Sequence, residues 1–246
     1  MRLKGKCALV TGAARGDSIG RSIALCLAEE GADIVINDVG REDEAAGLAA
    51  EIHALGRRAA FIKADVTQVT ECRRLADEAA GIFGRLDILV NNAGYSLHQP
   101  FAEIAEKDFD LMLDLNLKGP FFLIQSVLPH LPQGGRIINI SSEQAYIGHP
   151  NLPHYSAAKA GMLTMTRSLA LALAPHITVN CVAPGPTATQ RFRAGPEYTD
   201  ATRELIPLKR WVRPRDVGRS VVFLASADGD AFTGQILDPN AGTVMA

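Results

Sequence analysis

Tyr155 and Lys159 stand four residues apart in "HYSAAKAG", residues 154–161. On a helix that spacing puts a phenol and an ammonium on one face. A free phenol ionises near pH 10, too high for ready proton exchange at neutrality. A neighbouring positive charge stabilises the phenolate and lowers that value. Bringing it to neutral pH takes roughly 4 kcal/mol. A tyrosine tuned in this way exchanges a proton with an alcohol or carbonyl oxygen. Ser142 ends an apolar run upstream and can hold the same oxygen by a hydrogen bond. Asn116 lies in the long helical stretch before that run. Each residue also has a plain structural use. Ser142 can cap a turn, Tyr155 can pack a helix start, Lys159 can be solvated, and Asn116 can bond backbone.

Redox chemistry at carbon also needs a hydride carrier, and the N-terminal stretch offers a place for one. "LVTGAARGDSIGRSIA" joins an apolar run to a helical one, with Gly12, Gly16 and Gly20 evenly spaced. A glycine-rich turn between strand and helix lets backbone approach a pyrophosphate at the helix N-terminus. The same spacing serves close packing, so the strand–turn–helix context is what points to a dinucleotide. Asp38 closes the next apolar run. A carboxylate there accepts from the adenosine ribose hydroxyls and repels a 2′-phosphate, which favours NAD, or it simply caps the following turn. Arg15 and Arg41 are the counterweight, because either can neutralise a phosphate, and NADP stays open. Asp65 and Val66 end the third run. Asp65 either meets the adenine amino group, with Val66 backing the ring, or caps the following helix. Asn91, Asn92, Ala93 and Gly94 end the fourth, where small residues leave room for a ribose and asparagines satisfy tight backbone.

These residues need a scaffold that gathers strand ends on one edge. Residues 6–11, 33–38, 59–65, 86–94, 135–142, 177–185 and 234–239 read as strands. Residues 19–31, 42–56, 68–84, 106–131, 155–174 and 214–226 read as helices, the fourth bent near Gly119–Pro120. Strands apolar on both faces suit a parallel sheet covered on each side. The expected fold class is α/β, a Rossmann-type doubly wound, mostly parallel seven-stranded sheet with helices on both faces. Residues 1–246 are expected to form one dinucleotide-binding catalytic domain. Residues 186–212 lack periodicity and are long for a connection, so they read as a substrate lid.

Charge and composition narrow the classes. Twenty-five basic and 27 acidic residues leave a net charge of −2 with no long basic block, which gives nucleic acid no footing. No run approaches the roughly 20 apolar residues of a membrane span. The N-terminal apolar run is too short for a signal-peptide core. Cys7, Cys26, Cys72 and Cys181 are far apart without a CxxC, as expected for reduced thiols in a cytoplasmic protein. His149 and His154, separated by two prolines and lacking a carboxylate–cysteine cluster, give no metal site.

"TGAARG…IG", "NNAG", "DLNLKG", "NISS", "YSAAKAG" and "VNCVAPG" appear in one order along the chain. In that order they resemble the short-chain dehydrogenase/reductase family over essentially the full length. Within it the chain is most similar to 3-oxoacyl thioester reductases, which act on acyl-carrier-protein or coenzyme A thioesters. The resemblance implies NAD(P)-dependent interconversion of ketones and secondary alcohols. It implies Ser142, Tyr155 and Lys159 as a catalytic triad, with Asn116 completing a tetrad and holding a water chain. Tyr155 is then the acid in reduction and the base in oxidation, and Lys159 also binds the nicotinamide ribose. Pro184, Gly185, Thr187 and Thr189 match the segment at the carboxamide end of the cofactor, Thr187 by backbone and Thr189 by hydroxyl. A homo-oligomer, tetramer or dimer, is also implied, built on the long helix and the Tyr–Lys helix. That subgroup commonly uses NADPH, against Asp38. An NAD-linked sugar, polyol or other secondary-alcohol dehydrogenase is the rival reading, and a non-catalytic dinucleotide sensor the third.

Two departures from the family pattern stand out. One residue usually separates the second and third glycines, whereas here Asp17, Ser18 and Ile19 do. Asp17 brings a carboxylate towards the pyrophosphate. Ser18 compensates as donor or cap, and Ser18 and Ile19 join the cofactor contacts. The end "LDPNAGTVMA" replaces the usual Val-Asp-Gly-Gly on the substrate side. His98, Glu143, Gln144, Tyr146, His149 and His154 are expected around the pocket. Phe192, Tyr198, Leu205, Ile206 and Trp211 are expected in or near the lid, with Arg191 and Arg193 either solvated on it or meeting an anionic substrate or coenzyme A phosphates.

Overall fold

In the first strand, Ala8 and Val10 pack into one apolar cluster while Cys7 and Leu9 pack into another. That period-two alternation, with both sides apolar, is what a sheet covered on each face requires. The computed structural model describes residues 1–245; Ala246 lies outside them. Its strands are β1 (Cys7–Thr11), β2 (Asp33–Asp38), β3 (Ala59–Lys63), β4 (Ile88–Asn91), β5 (Gly135–Ile140), β6 (Ile177–Val182) and β7 (Ile236–Leu237). They form one sheet in the order β3-β2-β1-β4-β5-β6-β7, and every pairing is parallel.

The helices are α1 (Ile19–Glu29), α2 (Glu42–Ala54), α3 (Val69–Ile82), α4 (Glu106–Leu113), α5 (Gly119–Val127), α6 (Gln144–Ile147), α7 (Pro153–Leu173), α8 (Gln190–Arg193), α9 (Asp200–Leu205) and α10 (Pro214–Ala225). Buried side chains of α1, α2 and α10 form the core on one face of the sheet; those of α3, α5 and α7 form it on the other. The chain leaves β1 towards β2 and β3, then returns to β4 on the other side of β1. The order therefore reverses between β1 and β4, and open sheets of this type bind ligands in the crevice at such a point.

Three expectations change in detail. The stretch 106–131 is not one α-helix bent at the proline. A π-helical turn, Asp114–Lys118, joins α4 to α5, and Asn116 sits buried inside it. Pro120 follows this turn, and because the backbone before it is already helical its missing N–H takes a donor out of a continuous helix. Glu106–His130 also has the length and mean hydropathy of a membrane span, which counting uninterrupted apolar residues overlooks. Its Leu123, Ile124 and Val127 are buried in the core beside α3, so that face is used within the fold. Residues 186–212 contain two short helices, capped by the Thr189 and Thr199 hydroxyls, too brief to show periodicity. All four cysteines are buried and unpaired.

Two glycines give a matched test of this packing. A Cβ on Gly218 of α10 would sit 2.7 Å from Cys26 Sγ and 3.0 Å from the Ser22 carbonyl of α1, whereas one on Gly47 of α2 meets nothing within 4 Å. In urea unfolding, Gly218→Ala should lose about 1–3 kcal/mol. Gly47→Ala should gain about 0.5–1 kcal/mol from helix propensity alone.

Candidate active site

Thr11 ties the two sides of the crevice together. Its Oγ1 accepts the N–H groups of Asn92 (3.0 Å) and Ala93 (2.9 Å). Asn92 Nδ2 donates in return to the carbonyls of Thr11 (2.8 Å) and Gly12 (3.2 Å). Gly12 has φ +63°, and a Cβ on it would stand 2.8 Å from Ala93 Cα. A Cβ on Gly20 would stand 2.5 Å from the Gly12 carbonyl. Only glycine fits at both, and the turn is left open as a backbone cradle at the start of α1. Ser18 caps α1, accepting from Arg21 N–H at 3.2 Å and donating to the Arg15 carbonyl at 2.7 Å, and Ile19 opens the helix. The cradle fits a dinucleotide diphosphate.

Asp38 Oδ2 accepts Ala14 N–H at 3.3 Å and Oδ1 accepts Val39 N–H at 2.9 Å, while burial raises its carboxyl above the ordinary carboxylate value. A second carboxylate, which the sequence reading missed, stands beside it. Glu44 accepts Gly16 N–H at 2.6 Å and pairs with Arg41 at 2.7 Å. Its signal was the spacing of Arg41 and Glu44, three apart at the start of a helix. Arg41 is thereby neutralised locally, while Arg15 remains half-exposed on the loop. Asp65 Oδ1 accepts the Thr67 N–H (2.9 Å) and hydroxyl (2.8 Å), a tight turn ahead of α3; it does not cap that helix, whose N-cap is Gln68. Val66 is buried beside it.

Lys159 is 4% exposed, and its Nζ donates to the Ile140 carbonyl at 2.8 Å, at the end of β5. Nζ lies 5.7 Å from the centre of the Tyr155 ring. Ser141 Oγ donates to the Lys159 carbonyl at 2.9 Å, fixing α7 to the same strand end. Ser142 Oγ accepts Gln144 N–H at 3.2 Å. The Asn116 amide donates to the carbonyls of Met112 (3.0 Å) and Tyr95 (3.2 Å), while its buried Oδ1 has no partner among the described residues. A Cβ on Gly94 would stand 2.6 Å from that oxygen and 3.4 Å from Lys159 Nζ. Gly94 therefore lets the amide oxygen and the ammonium converge.

The expected lowering of the Tyr155 phenol by Lys159 is corrected here. Burial dominates both groups, pushing the phenol up and Lys159 down to about 8. The Ser142 hydroxyl and the Arg191 charge pull the phenol back. Lys159 points its ammonium at a carbonyl, so it gives the phenol little help in this state. An anion or polar ligand beside Lys159 would favour the ammonium and, through it, the phenolate. An alcohol or carbonyl oxygen between Ser142 and Tyr155 could then exchange a proton with the phenol.

A family model described as "Enoyl-(Acyl carrier protein) reductase" matches residues 12–243. The 3-oxoacyl-[acyl-carrier-protein] reductase FabG of Staphylococcus epidermidis is 41% identical over 244 residues, 98% of this chain and 99% of its own. The chain belongs to the short-chain dehydrogenase/reductase family. It is an NAD(P)-dependent oxidoreductase acting on carbonyl and alcohol groups. The hydroxynaphthalene reductase-like protein Arp2 of Metarhizium anisopliae is also 41% identical, over 98% of this chain and 96% of its own. Among solved structures, a blue fluorescent protein from a metagenomic library, in complex with NADPH, aligns with TM-score 0.94 at 37% identity, covering 100% of both chains. A short-chain dehydrogenase from Burkholderia cenocepacia, in complex with NADP, aligns with TM-score 0.93 at 37% identity, covering 98% of this chain and 99% of its own.

In this family member the segment after β6 closes the other side of the site. The Pro184 carbonyl accepts Glu143 N–H at 3.0 Å. A Cβ on Gly185 would stand 2.8 Å from Asn240 Cα and 2.9 Å from Glu143 Oε2. Thr187 donates to the Gly185 carbonyl at 2.8 Å and bridges to Val212. The Thr189 hydroxyl accepts Phe192 N–H at 3.2 Å, a helix cap the sequence reading did not assign. Phe192, Tyr198 and Trp211 pack as one aromatic group with centroids 5.1–5.9 Å apart. Ile206 is buried, but Leu205 is 83% exposed and does not join this wall. Arg191 and Arg193 are exposed on the lid as expected, and each also has protein partners. Arg191 donates to the Ser96 carbonyl at 2.6 Å and lies over the Tyr95 ring, and Arg193 pairs with Asp17.

The departing C-terminal segment is anchored beside Ser142. The Thr243 hydroxyl donates to the buried Glu143 carboxylate, and Tyr146 meets Asp238. His154 is buried with neither ring nitrogen partnered among the described residues, and burial lowers its pKa, which favours neutral imidazole. Ligand atoms of His98, His149 and Glu197 lie within 4.8 Å of one another, a grouping the sequence did not suggest. His149 Nδ1 accepts Asn151 N–H at 3.2 Å, so Nε2 carries the proton and faces Glu197 Oε1 at 3.3 Å.

Lys159 also sets a stability test. Between about pH 8 and 10.5 the folded chain binds fewer protons at Lys159 than the unfolded chain. Its contribution to stability therefore rises with pH across that window and is poorest below it. Lys159→Met should stabilise the cofactor-free protein at pH 7 by about 3 kcal/mol at most, less the lost bond to Ile140. Urea unfolding should show that advantage shrinking as pH approaches 10.5, while the variant has no turnover.

Proposed function

We propose that this chain is an NADH-dependent reductase of 3-oxoacyl thioesters, one catalytic domain with residues 186–212 as its substrate lid. The observation that carries the reading is the convergence of Ser142, Tyr155, Lys159 and Asn116 beside the crevice of the sheet. Bound nicotinamide supplies the hydride in reduction and accepts it in oxidation. Tyr155 gives its proton to the carbonyl oxygen in reduction and takes it back in oxidation. Ser142 holds that oxygen. Lys159 contacts the nicotinamide ribose and, kept protonated there, lowers the phenol. The unpartnered Asn116 Oδ1 supports a water-mediated proton path from Lys159.

The cofactor reading places Gly12, Arg15, Gly16, Ser18, Ile19 and Gly20 around the diphosphate. Asp38 takes the adenosine ribose, and Asp65 and Val66 take the adenine. Asn92, Ala93 and Gly94 flank the crevice, and Pro184, Gly185, Thr187 and Thr189 meet the carboxamide end. Asp38 and Glu44 support NADH, because both carboxylates flank the Ala14–Gly16 turn and Glu44 also occupies Arg41. The two solved neighbours hold NADPH and NADP, so this preference belongs to the chain's own residues.

The relative named a 3-oxoacyl-[acyl-carrier-protein] reductase, alike over nearly the whole length, supports a thioester substrate. Glu143 favours a second reading. A buried carboxylate next to Ser142 is an acceptor for substrate hydroxyls, which suits NAD-linked oxidation of sugars or polyols. A cytoplasmic homo-oligomer, dimer or tetramer, fits the exposed Phe109, Leu111, Phe121 and Leu171 on α4, α5 and α7.

Acetoacetyl-CoA reduction, followed by cofactor absorbance, should run faster with NADH than with NADPH. Turnover with NADPH alone would reject the cofactor preference, and turnover with neither would shift the substrate to sugars or polyols. Tyr155→Phe should lower kcat by at least about a hundredfold while NADH still binds. Unchanged turnover in that variant would reject the proposed proton transfer.

A further inference from the structure

Asp17 stands in left-handed backbone, φ 45°, between Gly16 and the Ser18 cap. Its carbonyl accepts the N–H of Gln190 at 3.2 Å, and its carboxylate pairs with the guanidinium of Arg193. Arg193 also donates to the Ala188 carbonyl at 2.6 Å. The residue inserted in the glycine turn therefore grips α8 by both backbone and side chain. On the other side Arg191 holds the same helix to the loop after β4 through the Ser96 carbonyl. We propose that Asp17 is a positioning residue that anchors the substrate lid to the diphosphate cradle, so that cofactor binding and lid closure are coupled. The proposal rests on the dinucleotide and lid reading given above.

Electrostatics give it a decisive sign. A carboxylate near a diphosphate repels it, so removing the charge alone would tighten cofactor binding. An anchor acts the other way: without it the lid opens and the cofactor leaves more readily. The ion pair is exposed and modest by itself, so the effect is a matter of several-fold.

Asp17→Asn is the main variant, because asparagine tolerates left-handed backbone and keeps the carbonyl contact. Arg193→Gln breaks the pair from the lid side. NADH affinity is read by fluorescence titration, and amide exchange over 186–212 is read in the cofactor-free protein. Both variants should weaken NADH binding by about three- to tenfold and speed exchange around α8. The double variant should be little worse than either single one. Unchanged or tighter NADH binding in Asp17→Asn, or unchanged exchange, would overturn the proposal. A wild-type protein that binds neither NADH nor NADPH would overturn the dinucleotide reading and the coupling, while the exchange comparison would still report on the anchor itself.

Discussion

An ammonium buried at the end of β5 is the constraint on which the site depends. Burial penalises the charge of Lys159, and one carbonyl of Ile140 offsets only part of that penalty. The surroundings are built to tolerate it. Ser141 fixes the helix that carries Lys159, and Gly94 leaves space on the crevice side. The neighbouring phenol, half-buried, is held in its neutral form. The cofactor-free chain thus stores an unfavourable arrangement that a ligand at the crevice can relieve. This is a local cost to stability in a fold whose two cores lie on either side of the sheet.

The same crevice is shaped by close approach of backbones. Gly12 and Gly20 admit the Ala93 and Asn92 strand end, and Thr11 pins that end to the glycine turn. Strand ends gather there because the sheet order reverses between β1 and β4. The π turn in the long helical stretch adds a residue at the point where Asn116 enters the interior. Each feature gives up regular packing or hydrogen bonding near the crevice and is compensated within the fold.

Much of this was legible from residue types and spacing. The central strands announced themselves because they are apolar on both faces, whereas β3 and the two-residue β7 at the sheet edges are only half-buried. Tyr155 and Lys159 were visible from helical spacing, and the glycine cradle from its strand–turn–helix context. Other features were set by tertiary structure. Asp17 and Arg193 are 176 positions apart, and their pairing depends on how the lid segment folds back. Gly119–Pro120 marked an irregularity in the long helical stretch, but not that it would be a π turn with Asn116 buried inside it. The phenol's shift went the opposite way from the charge expectation because burial, which spacing does not reveal, outweighs the Ser142 hydroxyl and the Arg191 charge, while the Lys159 ammonium is turned to the Ile140 carbonyl. Glu44 was readable as a helix ion-pair partner of Arg41 but not as the acceptor of Gly16 N–H.

The most direct test is the titration of Lys159 itself, followed by side-chain NMR in the cofactor-free protein and assigned against Lys159→Met. A midpoint near 8, well below the ordinary 10.5, is the result this account predicts. A midpoint at the ordinary value would contradict it, because the ammonium would then be solvated and the site would hold no charge for a bound cofactor to relieve.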